Sequence, residues 1–272
     1  MATLLGASRY EVIPTNGIEE SVVSAVPKDV TLTVTASPTK GLEATISLAE
    51  NLSRHGYRVV PHVSARLVVD KGHLEEIVTR LKASGIDDIF VPAGDADPPA
   101  GTYESALSLL LELDNLGRPF SRMGITGYPQ SHPSIDDDVT VQAMWDKRHY
   151  ATYIVSNLCF DPAVIRRWIK RVRTRGVTLP IYFGLAGPIE RTKLLNMATK
   201  IGVGESARFL SGHAEWFLRM GAPGGYNPGR LLERVGSVLV DPTSNVEGLH
   251  VFTFNQVRQT EEWRTNVLAS IN

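Results

Sequence analysis

Short apolar runs rich in β-branched and aromatic residues alternate along this chain with stretches whose apolar positions recur every three or four residues. Eight runs read as strands: Ser8 to Pro14, Val30 to Ser37, Tyr57 to Ser64, Asp87 to Gly94, Arg122 to Pro129, Tyr153 to Phe160, Leu179 to Ala186 and Gly248 to Asn255. Most are nearly continuous, as in Leu32-Thr-Val-Thr35 or Tyr153-Ile-Val155, which is the pattern of parallel strands buried on both faces. Between them lie amphipathic helices. One places Leu74, Ile77, Val78 and Leu81 on a single face, and another stacks Val164, Ile165, Trp168, Ile169 and Val172. Asp161-Pro162 marks the start of the second, a carboxylate cap followed by proline in the first helical position. Eight strand-helix cycles predict an α/β fold, a (β/α)8 TIM barrel closed by right-handed crossovers. The seventh and eighth runs stand about twice as far apart as the others, and Gly221-Ala-Pro-Gly-Gly-Tyr-Asn-Pro-Gly229 interrupts that interval. Extra helices are expected there, between strands 7 and 8.

Composition narrows the class. At 272 residues, with 43% hydrophobic and 21% charged positions and no linker or low-complexity stretch, the chain reads as one domain spanning 1–272. Lys+Arg 28 against Asp+Glu 29 leaves a net charge of -1 and no basic block, so no nucleic-acid partner is expected. No apolar stretch is long enough to span a bilayer, so no membrane partner is expected either. The single cysteine, Cys159, cannot form an internal disulfide and is expected in the core. The start MATLLGASRYEV lacks a basic segment followed by a long apolar run, and together these features predict a reducing, cytoplasmic setting.

In a barrel of this kind chemistry gathers at the C-terminal ends of the strands. Polar residues occupy those ends: Glu11, Thr35, His62, Asp95, Tyr128 with His132, Asn157 and Asn255. Glu11 lies in Tyr-Glu-Val-Ile-Pro, and a carboxylate in an apolar strand is costly unless it is paired or carries a proton. Both readings, catalytic acid and buried ion-pair partner, stand open. Asp95 falls where a strand breaks into a glycine and proline loop, as a site residue or as a turn or cap. No His-Glu-x-x-His, cysteine pair or first-strand His-x-His occurs, so no metal is expected; one would have to be improvised from His62 and His132. There is no Gly-x-Ser-x-Gly elbow and no lysine inside a strand for a Schiff base. Gly202-Val-Gly-Glu-Ser-Ala207 fits a relaxed dinucleotide fingerprint, yet it follows a helical pattern rather than a strand and reads as chance.

Seven segments in order resemble the methylenetetrahydrofolate reductase family. Tyr10-Glu-Val-Ile-Pro14 is similar to its Phe-Glu-Phe-Phe-Pro-Pro, Val34-Thr-Ala36 to Val-Thr-Tyr/Trp, and Pro61-His-Val-Ser64 to Pro-His-Leu-Thr. Ala93-Gly-Asp-Ala-Asp-Pro-Pro99 resembles Arg-Gly-Asp-x-Pro-Pro, and Gly127-Tyr-Pro-Gln-Ser-His-Pro133 matches Gly-Tyr-Pro-Glu-x-His-Pro closely. Ser156-Asn-Leu-Cys-Phe-Asp161 and Val251-Phe-Thr-Phe-Asn255 resemble Thr-Gln-x-Phe-Phe-Asp and Phe-Tyr-Thr-Leu-Asn. The resemblance implies a barrel that reduces 5,10-methylenetetrahydrofolate to 5-methyltetrahydrofolate with NADH or NADPH, within the one-carbon metabolism that feeds methionine biosynthesis. Its partners would be a tetrahydrofolate derivative and a nicotinamide dinucleotide. It also implies roles. Glu11 takes the general acid that protonates the bridging nitrogen, and Asp95 the acidic group beside the reacting rings. Asn157 stands for a glutamine that contacts the pterin, and Arg191 joins Asp95 and Asn157 among the substrate-binding residues. Thr35, His62, Tyr128, His132 and Lys147 match positions that hold the flavin, FAD.

The departures fall on the flavin's side. Ala93 replaces the arginine before Gly-Asp, which removes a charge-assisted phosphate contact. The small-residue turn becomes Ala36-Ser-Pro-Thr39, and Lys147 in Asp146-Lys-Arg-His-Tyr-Ala-Thr152 aligns only after a one-residue shift. These changes predict FAD absent or weakly bound, with hydride passing directly from nicotinamide to folate. Arg66 or Arg148 could restore the missing charge. A folate-binding carrier or regulatory protein on the same barrel is the alternative from a different class, and other one-carbon chemistry on a tetrahydrofolate is a third.

Overall fold

The computed structural model describes residues 1–36, 39–129, 137–189 and 227–271, with backbone alone at 137–139. Its strands are β1 (Arg9–Val12), β2 (Thr31–Val34), β3 (Val59–Pro61), β4 (Asp88–Phe90), β5 (Arg122–Gly127), β6 (Tyr153–Ser156), β7 (Ile181–Ala186) and β8 (Val246–Phe252). All pair in parallel, in the order β3-β2-β1-β8-β7-β6-β5-β4. The two outer members, β3 and β4, meet through a bridge between His62 and Phe90. Bonds from Val63 N to Phe90 O (2.8 Å) and from Ala65 N to Pro92 O (3.0 Å) extend that seam. The chain is therefore a (β/α)8 barrel: seven of the eight apolar runs contain an observed strand, and the eighth overlaps β8, which begins two residues earlier at Val246.

Helices alternate with the strands: α1 (Ala2–Gly6), α2 (Ile18–Ala25), α3 (Gly41–Arg54), α4 (Lys71–Ala83), α5 (Ala106–Asn115), α6 (Asp137–Lys147), α7 (Pro162–Thr174), α8 (Pro228–Leu239) and α9 (Val257–Ile271). Their starts follow from sequence. Asp161 accepts from the N–H groups of Ala163 and Val164 with Pro162 in the first turn, and Asp70 caps α4 through His73 N. Helix α7 buries Ile165, Trp168, Ile169 and Val172, and α4 buries Leu74, Ile77 and Leu81. Each fully buried aliphatic side chain of this kind contributes about 1.5–3 kcal/mol. Val78 and Val164, expected on the same faces, are only half-buried. Cys159 is buried, and burial pushes its thiol up to about 11. In the interval between β7 and β8 stand α8 and a 3-10 turn at Pro242–Ser244, while the rest of the expected insert, 190–226, lies outside the described residues.

Strand alternation sorts side chains between wall and lumen. On β1, Tyr10 faces the helices and donates its hydroxyl to Glu261 of α9 at 2.6 Å, while Arg9 and Glu11 face inward. Where the strands begin, Arg9 lies between the rings of Tyr153 and Tyr182, 4.5 and 3.7 Å from their centroids, and pairs with Asp88 at 3.1 Å. Asp88 also accepts from Tyr153 (2.7 Å) and Arg122 (3.3 Å). This closes one end of the barrel. Gly124 makes the space: a Cβ there would stand 2.3 Å from the Tyr153 ring.

The strands are shorter than the apolar runs at the opposite end. Thr35, His62, Asn157 and Asn255, expected within strands, lie just beyond the observed ladders. There the backbone leaves the ladder for loop contacts: Thr35 O accepts from Thr45 Oγ1 at 2.8 Å, and Phe254 and Asn255 turn into left-handed conformation. No described helix is long and apolar enough to cross a membrane.

Candidate active site

Glu11 projects into the lumen near the C-terminal end of β1, with its side chain 15% exposed. Its Oε2 lies 2.9 Å from His250 Nε2 and 3.8 Å from His62 Nε2. No lysine or arginine among the described residues pairs with it. The partners found are two histidines, which make ion pairs with it only when protonated. Thr253 Oγ1 donates to Glu11 O at 2.5 Å and fixes the backbone at this point. Thr33, the register neighbour of Glu11 on β2, keeps its buried hydroxyl without a partner.

His62 is buried and packs its ring on Phe90, 4.7 Å between centroids. Burial drives it down to about 4, further lowered by His250 and opposed by the Glu11 charge, so it is neutral near pH 7. His250 is 1% exposed and lies edge-on to Phe252 at 4.8 Å. It makes the hydrogen bond to the Glu11 carboxyl, and sequence reasoning missed it. The available signal was its parity: two positions before Phe252 in a strand, it falls on the lumen face.

Asp95 is exposed in the loop after β4. That loop is fastened from beneath by Arg66, whose Nε donates to Ala96 O at 2.6 Å and whose Nη2 meets Asp97 at 3.4 Å. Tyr128, after β5, is half-buried; burial raises its hydroxyl, the Asp95 charge adds to this, and a Thr126 contact opposes it. Asp95 and Tyr128 are thus neighbours on the rim. Asn157 spends its amide oxygen on Leu158 N at 2.8 Å. Thr35 is half-buried at the end of β2, beside Val12 O, which its N–H contacts at 2.9 Å. Asn255 is a structural clamp, bonding Ile13 N (2.8 Å), Ile13 O (3.0 Å) and Thr15 Oγ1 (2.9 Å).

Lys147 is not brought to this group. It sits in the last turn of α6, and the chain just after it contacts the segment leading into β5, where Arg118 donates to His149 O at 2.9 Å. That is the end of the barrel where the strands begin. Burial pushes Lys147 down to about 8. Arg148 lies beside it, stacked over Trp145 at 3.3 Å. His132, Arg191 and the Ser37-Pro38 step lie outside the described residues. A cavity of 330 Å³ opens between α2 and α3 around Pro14, Gly17, Lys40 and Asn51, but Glu11 does not line it. Among the described residues no group of three or more His, Cys, Asp or Glu side chains could hold a metal ion.

The family model for methylenetetrahydrofolate reductase matches residues 17–205. That stretch contains Thr35, His62, Asp95 and Asn157, while Glu11 and His250 fall on either side of it. Among solved structures, 7,8-dihydropteroate synthase from Vibrio fischeri ES114 is 13% identical, covering 98% of this chain and 94% of that one at a TM-score of 0.44. A 2,3-dimethylmalate lyase of the PEP mutase/isocitrate lyase superfamily is 14% identical, covering 88% and 90% at a TM-score of 0.47.

Proposed function

The chain belongs to the methylenetetrahydrofolate reductase family, and from that premise we propose that it reduces 5,10-methylenetetrahydrofolate to 5-methyltetrahydrofolate with hydride from NADH or NADPH. The observation that carries this reading is Glu11, a carboxyl inside the barrel mouth with histidines, not a fixed cation, for partners. A group so placed can hold a proton and give it up. Glu11 protonates the bridging nitrogen N10; the bond from N10 to the methylene carbon breaks, and a 5-iminium cation forms. The exposed Asp95 carboxylate beside Tyr128 stabilises that cation. Hydride from the nicotinamide then reduces the methylene carbon to methyl, and solvent returns a proton to Glu11. Asn157 and Arg191 complete the folate side.

The described residues do not fit a tightly held flavin. Ala93 carries no charge, Arg66 is committed to the backbone of the Asp95 loop, and Lys147 and Arg148 lie toward the opposite end of the barrel. We therefore place direct transfer from nicotinamide first, and propose that Thr35, His62, Tyr128 and His132 serve the nicotinamide in the flavin's stead. The test uses NADH deuterated at the transferring position, with and without added FAD. Direct transfer retains the deuterium in the methyl group of the product without added flavin. Loss of label to solvent together with a flavin requirement overturns the direct route, because a flavin N–H exchanges with water. No folate-dependent NADH oxidation under either condition overturns the reductase reading and favours the folate-binding protein.

A further inference from the structure

Asp95 is exposed, and no hydrogen bond reaches its side chain among the described residues, so its place is set by the loop that carries it. That loop is an arch with both shoulders tied to one residue of the neighbouring segment. Arg66 N donates to Ala93 O at 2.9 Å on one shoulder, and Arg66 O accepts from Ala100 N at 2.8 Å on the other. The fit is close. Gly94, at φ +87°, would place a Cβ 3.0 Å from that of Ser64, and a Cβ on Gly101 would stand 1.7 Å from Val69 O.

The Arg66 side chain lies under the arch. Its Nε donates to Ala96 O at 2.6 Å, on the residue that follows Asp95. The fork makes longer contacts, from Nη2 to Asp97 Oδ1 and from Nη1 to Glu104 O, both 3.4 Å and beyond the usual limit of ~3.2 Å. The Asp97 side chain is 91% exposed, so water screens that charge. Ala96 is buried, where a carbonyl deprived of its donor is costly. The bond from Nε therefore matters more than the charge on the guanidinium.

We infer that Arg66 is a positioning residue for Asp95: by donating from Nε to Ala96 O it fixes the peptide beside Asp95 and aims the carboxylate at the reacting rings. The inference rests on the reductase reading for its catalytic meaning. A carboxylate that stabilises a cation does so from a fixed place, and a loop free to shift loses that advantage.

Arg66→Met keeps the length and lacks the donor. It is expected to lower kcat by about 10-fold or more, while KM for NADH stays within about 2-fold. Arg66→Gln carries an N–H as many bonds from the backbone as Nε, without the charge, and is expected to recover most of that loss. In an Asp95→Asn background, Arg66→Met should change kcat by less than about 2-fold. Equal losses in Met and Gln, additive losses with Asp95→Asn, or a rise of about 10-fold in KM for NADH in both variants would overturn the positioning role, the last by making Arg66 a cation that meets the cofactor. Should Arg66→Met fail to fold, Arg66→Lys replaces it, with a methylene where Nε stands, and the same loss is expected. Nitrogen-15 spectra of the whole protein without ligands read the bond independently of activity, through the Asp97 amide that shares a peptide with Ala96 O. Its resonance is expected to move in Arg66→Met, or in Arg66→Lys in its place, and to stay near the wild-type position in Arg66→Gln; indifference to the loss of the donor overturns the inference. A wild-type protein without folate-dependent NADH oxidation would end the reductase reading, and the spectra would still decide whether Arg66 holds the Asp95 loop.

Discussion

The two ends of the barrel lumen hold similar residue types and treat them differently. At the closed end Asp88 accepts from Arg9, Arg122 and Tyr153, Arg122 reaches on to Tyr182 and Glu247, and both tyrosine rings sandwich Arg9. Among the described residues only Arg9 Nη1 is left without a hydrogen bond there. At the mouth Glu11 has one hydrogen bond to its side chain, and Thr33 Oγ1, His62 Nε2 and His250 Nδ1 are buried with no hydrogen bond among the described residues. Buried polar groups are expensive unless satisfied. The saturated end holds charge as structure, and the unsaturated end is where the proposed reaction would draw on it.

The largest expected effect breaks the mouth without touching the fold. Glu11→Gln keeps shape and loses the proton, so turnover should fall by ~10²–10⁴ with folate binding and urea midpoint nearly unchanged. Steady-state kinetics beside equilibrium unfolding check this. A variant that unfolds would move Glu11 to the structural side of the comparison, and a fully active one would remove it from the chemistry.

The closed end should answer the opposite way. Asp88→Asn leaves Arg9, 6% exposed, facing a neutral group. Removing one member of a buried pair costs about 3 kcal/mol, read as a lowered urea midpoint, while kcat per folded molecule stays within about 2-fold. A loss below about 1 kcal/mol would mean that the plug is replaceable packing rather than a structural charge pair.

Legibility in the sequence divides along the same line. All eight strands were readable because apolar runs buried on both faces carry their own signature, and Asp161-Pro162 announced α7 locally. Strand ends were overextended because Thr35, His62 and Asn157 lie past the regular strands, although each still gives its backbone N–H to the neighbouring strand, at Val12, Val34 and Gly127. Glu11 was legible as a carboxylate in an apolar strand. His250 was not, since a lone histidine in such a strand looks like core, and its partner is supplied only by barrel closure. Arg9 and Asp88 stand at strand edges, where charge looks ordinary; the lumen alone brings them together. Lys147 aligned with a cofactor position by residue type, but a residue ending a barrel helix is carried away from the mouth.

That displacement of Lys147 gives the smallest expected effect and the finest test of which end it serves. In the folded chain its ammonium loses a proton near 8, against an ordinary value of 10.5, because burial disfavours the charge. Between those values the unfolded chain binds more protons than the folded one, so raising the pH favours folding. From about pH 7 to about pH 9 the gain is on the order of 1 kcal/mol. Lys147→Met lacks the group, so the difference in unfolding free energy between variant and wild type should shrink by that amount as the pH rises, other titrating groups cancelling. The variant's KM for NADH should stay within about 2-fold, since losing a working charge contact would raise it about 10-fold or more. A 10-fold rise in KM with no change in the pH dependence of stability would place Lys147 at the mouth after all and restore a cationic anchor for the cofactor's phosphates.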